Sequence, residues 1–336
     1  MKKILALVAL VLVFGCDDGD ITVKSFDFSG ASVSTCTQNN IYYKTNTTEA
    51  LILEIAPSNL YNIESELDGT GSMIPREIAI TTSGANKVLY RNYNGPASTT
   101  NLICNTGDLT VTSPSVIEEW TGEGTILVTT QKDYTNGKLT GYIHNITLKQ
   151  ITFNSGNETI RINDNLFGSF TSPLGFNFSY GDEETPIAVA CETASEDRVY
   201  KTSGNDVIIL NFPDNTFVNV VGTLPIIELS ADEEDYELLF KTYSGTVNSS
   251  IVCDLDTTID INQNWRASSG SIIVVTTEDD INPGTFFHEI RLKDVVFSRT
   301  DVTSGETFTL YEVLSEENAQ EAEDNGGFLL GTYVTN

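Results

Sequence analysis

The chain carries one ordered set of landmarks twice, and this constrains its fold more than any other feature. Cys36 is followed by a polar stretch, by Tyr43-Lys44-Thr45 and by Ala50-Leu51-Ile52-Leu53-Glu54-Ile55. Cys191 is followed in the same order by Tyr200-Lys201-Thr202 and Val207-Ile208-Ile209-Leu210-Asn211-Phe212. Further along, Tyr93-Asn94-Gly95 matches Tyr243-Ser244-Gly245, Cys104 matches Cys253, Trp120 matches Trp265 and His144 matches His288. Leu166-Phe167-Gly168-Ser169-Phe170 matches Leu329-Leu330-Gly331-Thr332-Tyr333. Each half must close a core of its own, and 336 residues suffice for two cores of about 150 residues each.

Both halves read as strands. Leu51, Leu53 and Ile55 alternate with Ile52 and Glu54, and Ile208, Leu210 and Phe212 repeat that face; period two marks a strand with one buried face. Residues 125–130 and 271–277 are rich in β-branched side chains, which suit strands. Asn136-Gly137 is a hairpin signal because both residues tolerate positive φ; Asn282-Pro283-Gly284 replaces it in the second half. The pattern predicts about eight to ten short strands per repeat and no convincing amphipathic core helix. The expected fold is all-β: two tandem homologous β-sandwich domains, jelly-roll-like or immunoglobulin-like, over residues 21–172 and 173–336. Repeat two opens with Phe176-Asn177-Phe178-Ser179-Tyr180, which echoes Ser25-Phe26-Asp27-Phe28-Ser29. The short linker near Ser172-Pro173 predicts domains set end to end with limited swing. An acidic insertion at 315–324 is expected to be a solvated loop, with one or two turns of surface helix as the alternative.

The start of the chain has the parts of a secretion signal: Lys2 and Lys3, then an apolar run from Ile4 to Phe14 too short for a bilayer core of roughly 30 Å. Val13-Phe14-Gly15-Cys16 resembles the lipobox of bacterial lipoproteins. The resemblance implies a signal peptide at 1–15, acylation of Cys16, and a lipidated acidic tether at 16–20. The plainer alternative is an ordinary signal peptide that leaves Cys16 free. Asp17-Asp18-Gly19-Asp20 resembles the surface-export signal of Bacteroidota-type lipoproteins, and the duplicated repeat resembles β-domains of flavobacterial lipoproteins. Both imply an outer-membrane, lipid-anchored protein facing the cell exterior, its membrane contact made through the N-terminal lipid; a periplasm-facing anchor is the alternative. The other four cysteines fall at matching places, and thiols oxidise readily outside the inner membrane, so disulfides Cys36–Cys104 and Cys191–Cys253 are expected. Two reduced core cysteines per repeat are the alternative. With 18 basic and 47 acidic side chains and a net charge of −29, the chain repels phosphate backbones, so no nucleic-acid partner is expected.

The candidate chemistry is sparse. His144 and His288 are the only histidines. Each shares a strand face with apolar residues, Tyr142, Ile146 and Leu148 or Phe286, Ile290 and Leu292, and no His-Glu-x-x-His motif occurs. Each is expected to be buried, satisfied and packed near its repeat's Trp. Trp120 and Trp265 are read as core plugs near a disulfide, with a sugar-stacking platform as the alternative. Glycoside hydrolysis needs two carboxylates at a set separation, and so many acids make candidate pairs uninformative. Asp254, Asp256 and Asp260 form at most a fragment of a calcium site. No phosphate loop or nucleophile elbow is visible. No catalytic residue, metal or cofactor is assigned. The expectation is a non-catalytic binding, adhesion or assembly module with a glycan or surface-protein partner. The alternative is a carbohydrate-binding accessory protein or glycan hydrolase, marked by a deep cleft with convergent carboxylates and exposed aromatics in one repeat.

Overall fold

A computed structural model describes residues 26–36, 40–97, 100–104, 113–156, 158–162, 165–180, 187–191, 197–232, 235–254 and 258–336. Cys16, the signal peptide and the tether lie outside the described residues. The chain is all-β, with two separate antiparallel sheets, one per repeat. The first sheet contains β1 (Ser34–Thr35), β2 (Ile41–Asn46), β3 (Glu49–Glu54), β4 (Arg76–Ile80), β5 (Lys87–Tyr93), β6 (Val116–Thr135), β7 (Lys138–Ser155), β8 (Glu158–Arg161) and β9 (Asn165–Pro173). The second contains β10 (Val189–Ala190), β11 (Asp197–Ser203), β12 (Asp206–Phe212), β13 (Gly222–Thr223), β14 (Ile227–Glu228), β15 (Glu237–Tyr243), β16 (Ile261–Glu278), β17 (Phe286–Arg299), β18 (Thr307–Thr309) and β19 (Phe328–Thr335).

A long hairpin organises each repeat. In the first, β6 and β7 are joined at Asn136-Gly137, both at positive φ (53° and 78°), the geometry a tight hairpin turn requires. One half of this hairpin pairs with β5 and β8, the other with β4 and β9. Between the halves the sheet turns a corner, where the register shifts between Glu123 and Thr125. Gly124 lies there at φ 153°, and a Cβ on it would sit 2.9 Å from the Gln150 carbonyl oxygen. A bulge of this kind bends both strands and lets one sheet fold over itself into two layers. Leu53, Tyr90 and Trp120 from one layer then meet Ile78, Ile126, Val128 and Ile146 from the other in one core. Repeat two has the same corner at Gly270 (φ 113°), opposite Asp294.

Two features differ from the sequence pattern. The first is β3, where Ala50, Leu51, Ile52 and Leu53 are all buried, so both faces are covered. The second cover is the segment tied by the disulfide. Cys36 is bonded to Cys104 and Cys191 to Cys253, each with Cα atoms 5.4 Å apart. The second cysteine of each pair ends a short helix, α1 (Thr100–Cys104) or α2 (Ser249–Cys253). Ile103, or Ile251 and Val252, pack with the bonded sulfurs against the outer face of β2–β3 or β11–β12. The tryptophans are therefore not beside the disulfides but in the cores on the opposite face of that layer.

The second difference is the insertion. It forms a helix, α3 (Glu316–Asp324), in place of the expected loop. Ser315 caps it by accepting the Asn318 amide, Glu316 and Glu317 occupy its first turn, and Ala322 is buried; an N-cap oxygen and early acids satisfy and complement a helix start. Just before it, the turn Leu310–Val313 and β18 receive repeat one. Glu312 binds Lys132 and accepts the Tyr134 hydroxyl proton at 3.0 Å. Tyr142 donates to the Thr307 carbonyl at 3.2 Å, and the backbone N–H of Asn62 to the Glu306 carboxylate at 3.1 Å. Leu139 and Tyr142 of repeat one are buried within the core cluster of repeat two. Full burial of a Leu contributes about 2 kcal/mol, so this contact holds the two repeats together.

Candidate functional site

Both histidines are fully buried, and each ends up inside a closed hydrogen-bond chain. The Thr130 hydroxyl accepts from Arg76 Nη2 at 2.8 Å and lies 2.9 Å from His144 Nδ1. Nε2 faces Asn62 Oδ1 at 3.3 Å, which only accepts, and Ser172 Oγ at 3.1 Å, whose proton goes to Asn62, so the neutral ring carries its proton on Nε2 and Nδ1 accepts from Thr130. Ser172 donates onward to Asn62 Oδ1 at 2.5 Å. Repeat two builds the same chain: Thr276 to His288 Nδ1 at 2.8 Å, Nε2 to Thr335 at 2.9 Å, and Thr335 to Asn219 Oδ1 at 2.6 Å. Burial, reinforced by the Arg76 charge, pushes His144 down to about 4; burial also lowers His288. The rings pack on Phe170 (4.9 Å) and Phe217 (5.3 Å), not on the tryptophans.

This polarity runs against nucleophile activation. A general-base His takes the nucleophile's proton on one ring nitrogen while a carboxylate holds the proton on the other. Here the Ser172 proton goes to an amide oxygen, and the far ring nitrogen meets a threonine. Asn62, Asn219, Ser172, Thr335, Thr130 and Thr276 were not singled out from sequence, although a signal existed. Asn62 and Asn219 stand equally far beyond Tyr43 and Tyr200, and Ser172 and Thr335 equally far beyond Leu166 and Leu329.

Trp120 and Trp265 are also buried, with their indole N–H groups donating to Glu118 (2.8 Å) and Gln263 (3.0 Å). Neither offers a ring face for sugar stacking. Among the described residues no three His, Cys, Asp or Glu gather to hold a metal ion; Asp256 lies outside the described residues.

A cleft of about 670 Å³ lies on the outer face of repeat one. Its charged groups are Lys87, Arg91 and Glu54, set among Ile52, Leu89 and Ile103. Glu54 is the one carboxylate of the lining; Lys87 lies 3.7 Å from it, and Arg91 bonds Glu119 at 2.6 Å. A lone carboxylate paired with a lysine is not the two-acid arrangement of a glycosidase. In repeat two Arg198 takes the place of Ile41 and donates to the Val252 carbonyl and to Asn211, both at 2.6 Å. No protein-family model, curated protein or solved structure matches the chain.

Proposed function

We propose that this protein is a non-catalytic binding or assembly module, held at the outer membrane by acylated Cys16 and displayed outward on its acidic tether. The observation that carries the non-catalytic part is the pair of closed histidine chains. The only imidazoles in the sequence are buried, held neutral and consumed in the same internal role in both repeats. A duplicated role is a packing role, because a reaction centre needs one copy. The lipid anchor rests on the lipobox residues and the export signal on the acids that follow them.

A second reading, a carbohydrate-binding accessory protein, has the cleft of repeat one in its favour. Lys87 and Arg91 within an apolar surround suit the carboxylate or sulfate of an acidic sugar.

Cys16→Ser tests the anchor: the chain is expected to move to the soluble fraction and lose fatty-acid labelling, and unchanged membrane association overturns it. The soluble variant, incubated with a panel of acidic and neutral polysaccharides, is expected to release no reducing ends. Release that is abolished by Glu54→Gln establishes a hydrolase instead.

A further inference from the structure

The end of repeat one that docks onto repeat two has an equivalent in repeat two, and there it is open. The two ends match residue by residue. Asn62 and Asn219 terminate the two histidine chains. Ile63 and Val220, the next residues, each close the same tight turn, donating to Tyr61 at 3.0 Å and Val218 at 2.8 Å. Ser65 and Gly222 then meet the network threonines Thr130 and Thr276. In repeat one this turn is used: the backbone N–H of Asn62 bonds the Glu306 carboxylate, and Ile63 lies against Gly305. In repeat two Val220 and Val221 are 64% and 61% exposed.

Beside them is a mainly apolar groove of about 500 Å³, whose lining includes Val218, Leu224, Ile226 and Tyr236 together with Thr216 and Glu228. Its counterpart in repeat one carries Tyr61, covered by the Arg76 guanidinium 4.0 Å from the ring. At one matched position the charge is reversed. Lys132 stands two residues beyond Thr130 and pairs with Glu312; two residues beyond Thr276 stands Glu278, followed by Asp279 and Asp280.

We infer that this end of repeat two is a docking surface for a partner protein that presents an apolar anchor flanked by Lys or Arg. The partner takes the position on repeat two that repeat two takes on repeat one. The anchor fills the groove, and the basic groups meet Glu278 and Asp280. A well-packed pocket beside a charged rim is how a few residues carry most of an interface's affinity. A second copy of this chain is disfavoured as occupant. Its net charge is −29, and the Glu312 surface that receives such an end is acidic and already occupied within the molecule. The inference deepens the binding-module reading by naming the partner's chemistry.

A photo-crosslinking side chain placed at Val220 of the full chain, in its native cell, provides the test, with exposed Ile74 as the control position. The expected result is one adduct, absent at Ile74, whose cross-linked peptide has Lys or Arg beside apolar residues. Its yield should fall at least tenfold when Glu278→Lys and Asp280→Lys are added, with unchanged thermal stability. A cross-link to a second copy of this chain overturns the assignment. So does an adduct indifferent to charge reversal, a ladder of unrelated adducts, or none. Glycan hydrolysis by the purified protein would refute the module reading while leaving a charge-sensitive Val220 adduct intact, so the two fail separately.

Discussion

Replacing His144 by Gln has an effect on stability whose dependence on pH follows from the hydrogen-bond chain. At pH 7 the native ring is neutral, accepts from Thr130 and donates to Ser172. Gln does not reproduce that pair of contacts at the ring's positions, so the variant leaves a buried partner unsatisfied, at a cost of about 1–3 kcal/mol. Acid changes the comparison. The folded ring titrates at about 4, against an ordinary value of 6.5. Between those values the unfolded chain binds a proton that the folded chain excludes, so the wild type loses stability as the pH falls through this window. At about 1.36 kcal/mol per pH unit, the loss is about 3 kcal/mol by pH 4 and stops growing below it. His288, Asp206 and the surface acids titrate in both proteins and cancel in the difference. Urea unfolding of the soluble Cys16→Ser chain, with and without His144→Gln, from pH 7.5 to 4 is the assay. The destabilisation should shrink as the pH falls and vanish or reverse near pH 4. A difference that is flat with pH, or that grows in acid, refutes a buried neutral ring and with it the packing role.

Three further outcomes are expected. Gly124→Ala places a Cβ against the Gln150 carbonyl oxygen at a φ of 153° and should cost about 2 kcal/mol, whereas Gly156→Ala, with open space around it, should cost about 1 kcal/mol; equal costs in denaturant titration would refute the corner. Replacing Cys36 and Cys104 together by Ser opens a loop with a sequence separation of 68 and should cost about 4 kcal/mol in the chain-entropy model, read as a lowered urea midpoint. For Lys132 and Glu312, with side chains 21% and 22% exposed, a double-mutant cycle should give a coupling of about 1 kcal/mol. Burial raises the Glu312 pKa, but hydrogen bonds from Lys132 and the Thr309 amide outweigh it and hold the carboxyl below its usual range. The coupling is thus intact above the ordinary carboxylate pKa and lost as the pH falls through the lowered folded value; persistence in strong acid would contradict the pairing.

Much of the architecture was legible in the sequence because it is written locally. The period-two pattern of Leu51, Leu53 and Ile55 marks a strand without reference to anything distant, and Asn136-Gly137 marks a turn by the φ values its residues tolerate. The repeated order of Cys, Trp and His needs no geometry to establish two equivalent units. The all-β, two-sandwich reading follows from such one-dimensional signals. Periodicity also explains why each histidine was expected in a core, since it lies in phase with Ile146 and Leu148 or Ile290 and Leu292.

What the tertiary structure decided is every property that depends on distant segments meeting. Alternation assigns side chains to two faces but does not say whether a face is covered; the outer face of β3 is buried only because the disulfide-bearing segment folds over it. The histidine partners come from the 57–65 region, β6 and β9, and nothing near His144 in sequence selects Asn62 or Ser172 over other polar residues. The acidic insertion has the composition of a solvated loop, yet the segment ahead of it supplies Glu312 to Lys132 and the helix buries Ala322. Local chemistry sets which way a backbone runs and which residues share a face. Which faces, charges and hydroxyls become partners is settled when the sheet turns its corner at Gly124 and the two repeats close on each other, because only then are their distances defined.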